Sequence, residues 1–236
     1  MHFGIIAAGE GSRLAQEGAS VPKPLIPIQG QPMIERLIRI FERCGASSIN
    51  VVVNEQMTDV REFLSSLRMK EGVKLNLKVK STPSSMHTFL EMVSMMEDDG
   101  RFIATTVDTI FREEDFRKYV AAYSAAEDTV DGMMAVTDFI DDEKPLYIAT
   151  SPEMRITAFC DTRNPDTRYI SGGIYGLSRR VRPLLEECIS SGKSRMRNFQ
   201  RELLVKGLDI EAFPMGKIID VDHLSDVEVA ENFLKA

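Results

Sequence analysis

Two glycines, a serine, an arginine and, about ten positions on, a lysine between prolines are the first residues whose types and spacing could do chemistry. Gly9-Glu10-Gly11-Ser12-Arg13-Leu14 follows the apolar run Phe3 to Ala8, and Pro22-Lys23-Pro24-Leu25 comes after it. Glycines reach positive φ and let backbone N–H groups crowd around an anion. Ser12 adds a hydroxyl donor, and the planar guanidinium of Arg13 suits phosphate. The prolines flanking Lys23 stiffen its backbone, so that its ammonium can be aimed. Gly9 and Gly11 alone would fit an ordinary strand-to-loop turn. With the two cations added, the stretch reads as a cradle for phosphate.

Two other phosphate motifs are excluded. A dinucleotide fingerprint needs a third glycine where Leu14 stands, and a P-loop needs Gly-Lys-Ser/Thr after a strand, with another glycine five residues earlier. Gly192-Lys193-Ser194 occurs once, but Glu187 occupies the first-glycine position and the preceding segment reads as a helix. Ile6-Ala7-Ala8-Gly9-Glu10-Gly11-Ser12-Arg13-Leu14 with Pro22-Lys23-Pro24-Leu25 instead resembles the signature of the sugar-nucleotidyltransferase (NDP-sugar pyrophosphorylase) superfamily, L-A-A-G-x-G-x-R-L followed by P-K-P-L. The resemblance implies an α/β, Rossmann-like, three-layer nucleotidyltransferase fold of the GT-A type with a mostly parallel central sheet. It further implies that Ala7, Ala8, Gly9, Gly11 and Ser12 hold a nucleoside triphosphate, with Arg13 and Lys23 on its phosphates.

In that superfamily an aspartate ending a strand binds magnesium. Thr105-Thr106-Val107-Asp108-Thr109 stands at that place, with Val107 where glycine is usual. A hard cation keeps substrate phosphates and water in its shell, so few carboxylates suffice to bind Mg2+; a turn cap is the other role open to Asp108. Near the C-terminus, Asp220-Val221-Asp222-His223-Leu224-Ser225-Asp226 resembles the closing D-x-D/G-T-x-x-D segment. Strand alternation puts Asp220 and Asp222 on one side, and either could be the second metal ligand, with Asp222 preferred. Asp226 suits the dipole of the last helix, and His223 reads as a surface histidine. Ser84 and Ser85 occupy the place where relatives contact the nucleobase, with helix capping the other reading. Ser171-Gly172-Gly173-Ile174-Tyr175 resembles the strand beside the sugar, its glycines open either to a sugar or to a β-bulge. Phe159-Cys160-Asp161 lacks the lysine that relatives place on the sugar phosphate, which turns attention to Arg163 or Arg168.

Strands and helices must carry these groups to one place. Helical spacing recurs at Ile34, Leu37, Ile38 and Phe41, at Val60, Phe63, Leu64 and Leu67, and at Met86, Phe89, Leu90 and Val93. Strand-like runs lie at Ile49 to Val53, Val73 to Val79 and Phe102 to Val107, so the first half alternates strand and helix around a parallel sheet. The second half is strand-rich: Met133 to Val136, Leu146 to Ala149, Arg155 to Phe159 and Tyr169 to Leu177. Helices follow at Arg179 to Ile189 and Ser194 to Lys206, then short strands at Ile210 to Phe213 and Ile218 to Val221. A last helix, Ser225 to Leu234, has a Ser225-x-x-Glu228 capping box. Gly9 then follows the first strand and Asp108 the fourth, on the rim where open α/β sheets take ligands.

The 236 residues read as one domain, 1–236, with an ordinary 43% hydrophobic and 28% charged composition. A net charge of −7 without a basic block excludes nucleic acid and an anionic membrane as main partners. Cys44, Cys160 and Cys188 are too scattered for a zinc site or a disulfide framework, which fits a cytoplasmic protein. The expected activity is transfer of a nucleotidyl group from a nucleoside triphosphate to a small phosphorylated acceptor, a sugar 1-phosphate, with pyrophosphate released. Phosphocholine or another phosphorylated alcohol as acceptor, and a non-catalytic nucleotide or sugar-nucleotide binder, are the alternatives.

Overall fold

The computed structural model describes residues 1–96, 98, 100–140 and 144–235. The chain opens with β1 (His2–Ala7), whose alternate side chains enter two different cores. A short helix α1 (Ser12–Gln16) and a 3₁₀ turn over Lys23–Leu25 lead to the hairpin β2 (Pro27–Ile28) and β3 (Gln31–Pro32). Gln29 and Gly30 both take positive φ there, 52° and 78°, which is what a two-residue hairpin turn requires. Then come α2 (Met33–Arg43), β4 (Ser48–Val53), α3 (Thr58–Ser66), β5 (Lys74–Val79), α4 (Ser85–Val93) and β6 (Arg101–Thr106). Each coincides with an expected element to within a residue or two.

The short strand β7 (Thr109–Ile110) precedes α5 (Glu113–Ala125), a helix that the reading of the sequence missed. Its signal was available: Phe116, Tyr119, Val120 and Tyr123 fall at i, i+3, i+4 and i+7, behind three acidic residues in the first turn. The second half continues with β8 (Gly132–Thr137), β9 (Tyr147–Thr150), β10 (Ile156–Cys160), β11 (Thr167–Ser178), α6 (Arg182–Ser190), α7 (Met196–Val205), β12 (Ile210–Pro214), β13 (Ile219–Asp220) and α8 (Leu224–Lys235). The capping box expected at Ser225 is not formed. Ser225 lies inside α8, and Asp226 Oδ2 instead accepts from the backbone N–H groups of Asp222 and His223, at 2.9 and 2.7 Å. A carboxylate in the first turn thus reaches back over the helix start.

Nine strands form the main sheet, in the order β10-β9-β11-β6-β1-β4-β5, with β8 beside β11 and β12 beside β8. The section β6-β1-β4-β5 is parallel, and β11 joins β6 antiparallel. Because strand side chains alternate between faces, β1 sends Ile6 to one core and Phe3, Ile5 and Ala7 to the other. The first core packs α4, α6 and α7 through Phe89, Leu185 and Phe199, and the second packs α2, α3 and α5 through Phe41, Val60 and Phe116. Helices therefore cover both faces. A smaller apolar cluster, with Leu14, Ile28, Ile110, Ile219, Val221 and Ala230, ties the start of the chain to its end. Among the described residues no helix is long and apolar enough to cross a membrane.

Candidate active site

Strands β1 and β6 are parallel neighbours, Ile6 opposite Thr106, so the loops at Gly9 and Asp108 leave the same rim side by side. On the other side of β1 the chain turns to β4 and β5, which makes this rim the point where strand order reverses, the usual ligand crevice of such sheets. Gly11 caps α1 at φ 62°, and a Cβ built on it would stand 2.8 Å from the Lys23 Cβ. Glycine is needed there for both reasons, and the loop lies directly against Lys23. The 3₁₀ turn, with Pro24 early in it, fixes the Lys23 backbone.

The Lys23 ammonium joins the carboxylates of Asp108 and Asp222, with Asp222 Oδ1 at 2.7 Å. Arg13 Nη1 reaches Asp222 Oδ2 at 3.2 Å. Asp222 arrives through β13, which pairs antiparallel with β7 (Asp220 opposite Thr109), while Val221 N–H donates to the Asp108 carbonyl at 3.1 Å. Residues from positions 13, 23, 108 and 222 thus converge. Burial pulls the Lys23 pKa down, but the charges and hydrogen bonds of Asp108 and Asp222 outweigh it and hold it above the ordinary lysine range. For Asp108 burial pushes up, and Lys23 and Thr106 prevail to hold its carboxyl below the usual range. Lys23 and Asp108 therefore stand as a charged pair. Val107, at the usual glycine position, donates its N–H to the Ile6 carbonyl and packs into the core, so the carboxylate next to it still reaches the rim.

Two cavities meet at this cluster, sharing Ser85, Thr106 and Asp108. One runs along Ala8, Gly9, Gly11 and Lys23 to Asn54, Gln56, Ser81, Thr82, Ser84 and Thr88. The other is lined by Ser171, Gly173, Tyr175, Arg195, Arg197, Gln200, Asp220 and Asp222. Most of the expected residues are brought together. Ala7 is not: its side chain is buried in the core on the far face of β1. Ser84 caps α4, its Oγ meeting His87 Nδ1 at 2.8 Å, whereas Ser85 borders both cavities. Ser12 sits with Arg13, Lys23 and Asp222 in the phosphate-loop hollow.

The glycine pair of β11 has a packing reason. Pairing with β8 shifts between Ser171 and Tyr175; a Cβ on Gly172 would lie 2.4 Å from Ile218 Cδ1, and one on Gly173 (φ 68°) 2.9 Å from Thr109 Oγ1. This is the bulge, and both glycines still line cavity walls. The basic groups at the second cavity are Arg195 and Arg197 rather than Arg163 or Arg168. Arg163 lines an adjoining groove with Lys144 and Tyr147 that shares Arg197 with this cavity, and Arg168 lies over the Tyr169 ring. His223 is not simply at the surface: its Nδ1 pairs with Glu17 at 2.5 Å. Asn54 was missed although a polar residue ending the apolar run of β4 on this rim was readable. Gln200 was missed because it occupies a core position of α7.

Asp108 and Asp222 suit a hard divalent cation. Their oxygens already converge on one cationic centre beside the phosphate loop. Among the described residues no cluster of three or more His, Cys, Asp or Glu side chains could hold a metal alone. A cation here would complete its shell from phosphate and water.

Several known proteins share the chain's sequence or shape. The bifunctional protein GlmU of Methanocaldococcus jannaschii is 23% identical over 217 residues, 89% of this chain and 49% of that protein. A mannose-1-phosphate guanyltransferase of Gibberella zeae is 29% identical over 108 residues, 45% of this chain and 30% of that protein. The chain spans about half the length, or less, of these curated relatives. In shape it is similar to a putative glucose-1-phosphate thymidylyltransferase from Bacillus anthracis (TM-score 0.83, 22% identity, 99% of this chain and 95% of that one). It is similar also to the inositol-1-phosphate CTP transferase of T. maritima (TM-score 0.79, 18% identity, 98% and 93%). The fold is thus the Rossmann-like nucleotidyltransferase fold. The MobA-like NTP transferase domain matches residues 4–206, which run from the first strand through the phosphate loop, Lys23 and Asp108 to the end of α7, and the chain belongs to that family.

Proposed function

We propose that this chain transfers a nucleotidyl group from a nucleoside triphosphate to a sugar 1-phosphate and releases pyrophosphate. The observation that carries the reading is the convergence of Arg13, Lys23, Asp108 and Asp222 where two cavities, both lined by Asp108, meet. An acceptor phosphate oxygen in the second cavity attacks the α-phosphorus of the nucleotide in the first, and the bond from that phosphorus to the bridging oxygen of the β-phosphate breaks. Such displacements ask mainly for alignment and charge stabilisation. The loop N–H groups after β1 and Arg13 hold the β- and γ-phosphates. Lys23, fixed by its 3₁₀ turn, neutralises charge at the α-phosphate as the new bond forms. Arg195 supplies positive charge to the acceptor side in place of the absent lysine, beside Arg197, which is itself paired with Asp161 at 2.7 Å.

Asp108 and Asp222 would hold Mg2+, with Asp220 on the wall of the same cavity. When bound it supplies charge neutralisation on phosphate oxygens and stabilises the pyrophosphate that departs. A cytoplasmic setting, where nucleotides and sugar phosphates occur together, fits this chemistry.

The test is pyrophosphate release from four nucleotides against a panel of sugar phosphates, with Mg2+ and with excess chelator. One matched pair should release pyrophosphate, neither partner alone should, and chelator should stop it. Tight binding of a sugar nucleotide without turnover in either direction would reassign the chain as a binding protein. Full turnover in chelator would remove the metal from the scheme.

A further inference from the structure

The stripe that seats α7 on the sheet is Met196, Phe199, Gln200 and Leu203, at i, i+3, i+4 and i+7. Three are apolar; the fourth is a carboxamide that is 2% exposed. Taking an amide out of water is unfavourable unless new hydrogen bonds replace those to solvent. A glutamine in a core stripe therefore needs a reason. Gln200 Nε2 donates to Ser171 Oγ at 3.2 Å, which uses one of the two amide donors. Ser171 sits at the bulge of β11, and Tyr175, four residues on, lines the same cavity. Tyr175 is buried. All three border the cavity that contains Asp108 and Arg195.

We propose that Gln200, together with Ser171 and Tyr175, reads a hydroxyl group of the acceptor, so that the chain selects polyhydroxylated phosphates over phosphorylated amino alcohols. This rests on the nucleotidyltransferase reading above. A carboxamide offers a donor and an acceptor side by side, and two neighbouring hydroxyls each donate and accept, so the two match. A phosphocholine head has no hydroxyl to offer this carboxamide and would leave it unpaired. The one ring in this wall, Tyr175, is buried and cannot offer the open face that quaternary ammonium sites use.

Steady-state kinetics of the whole chain test the assignment, with Mg2+ and the nucleotide and acceptor found to release pyrophosphate. The acceptor is compared with its monodeoxy analogues and with phosphocholine. The native chain should lose about tenfold or more in kcat/KM with at least one deoxy analogue, and phosphocholine should be a poorer acceptor still. Gln200→Leu should raise the acceptor KM about tenfold, leave the nucleotide KM unchanged and abolish discrimination against that same analogue. Ser171→Ala should weaken that discrimination in the same direction. If Gln200 only braces α7 against β11, both KM values, kcat and Tm will shift together with discrimination intact, and the proposal is overturned. A native chain indifferent to every deoxy analogue, or one that prefers phosphocholine, overturns it without any variant. Absence of pyrophosphate release with every pair defeats the nucleotidyltransferase reading and this assignment with it; release with unchanged discrimination defeats this assignment alone.

Discussion

Arg13 and Lys23 both reach Asp222, but their settings differ: the Arg13 side chain is 51% exposed and that of Lys23 only 10%. On the proposed reaction, an exposed guanidinium on the loop would meet the triphosphate tail already in the ground state, and a buried ammonium bound to Asp108, which both cavities share, would act where charge rearranges. Interactions present in both states set KM, and those strengthened in the transition state set kcat. Arg13→Ala should therefore mostly raise the nucleotide KM, while Lys23→Ala should lower kcat by ~10²-fold or more. Steady-state kinetics on both variants decide this, and a Lys23→Ala enzyme with normal kcat would make the Pro-Lys-Pro-Leu segment a structural step only. Gly11 adds a second test. A methyl group there meets both a positive φ and the Lys23 stem. Gly11→Ala should lower stability by about 1–2 kcal/mol and depress kcat further than that loss accounts for. Equal activity, measured alongside urea unfolding, would show that the Gly11–Lys23 packing is not required.

At the scale of elements, carboxylates in the first turns of α5 and α8 fasten those helices to their neighbours. Glu113, in the first turn of α5, bonds Arg43 of α2 and Arg117 one turn on. The Arg43 hydrogen bonds, working against partial burial and aided by Arg117, bring its carboxyl from 4.5 down to about 2. A depressed folded-state value means that this stabilisation is complete above about pH 4.5 and disappears as pH falls through about 2. Both arginines are roughly half exposed, so screening limits the contribution to about 1 kcal/mol. Glu113→Gln should lower Tm at pH 6 and flatten the decline of Tm between pH 4.5 and 2.5; an unchanged slope would discount the pair. Asp226 reaches back to the N–H groups of Asp222 and His223. Asp226→Ala should cost about 1 kcal/mol, as lost caps do, and reduce turnover because Asp222 loses its anchor, whereas Asp226→Asn should keep most of both in thermal melts and turnover assays. The elements themselves were largely legible, since strands such as Ser48–Val53 and helices such as Met33–Arg43 carry strong periodicity. α5 was overlooked because its apolar stripe is diluted by charge and alanine. The cap of α8 was misassigned because the carboxylate of Asp226, not the serine, reaches back over the helix start.

Across the whole molecule, the loop after β1 and the aspartate after β6 could be placed on one rim from strand order alone, so half of the site was legible. The other half depends on approach through space. That Lys23 bridges Asp108 and Asp222, that Arg195 and Arg197 border the second cavity, and that Gln200 brings a core stripe to its wall all depend on how α7 and β13 dock against β11 and β7. No local pattern reports such docking. The cluster of Leu14, Ile28, Ile110, Ile219, Val221 and Ala230 has a consequence of its own. It is much smaller than the two cores beside the sheet, yet it seats the segments that carry Arg13, Lys23 and Asp222. Regions with few apolar contacts open at a fraction of the global free energy. In a urea series, catalytic turnover should therefore vanish at concentrations where far-UV ellipticity is still native. Amide deuteration should be fast in β13 and α8 and slow in β1, β4 and β6. Such a chain would pass through a folded but inert form on the way down, and would be the last to regain activity on the way back.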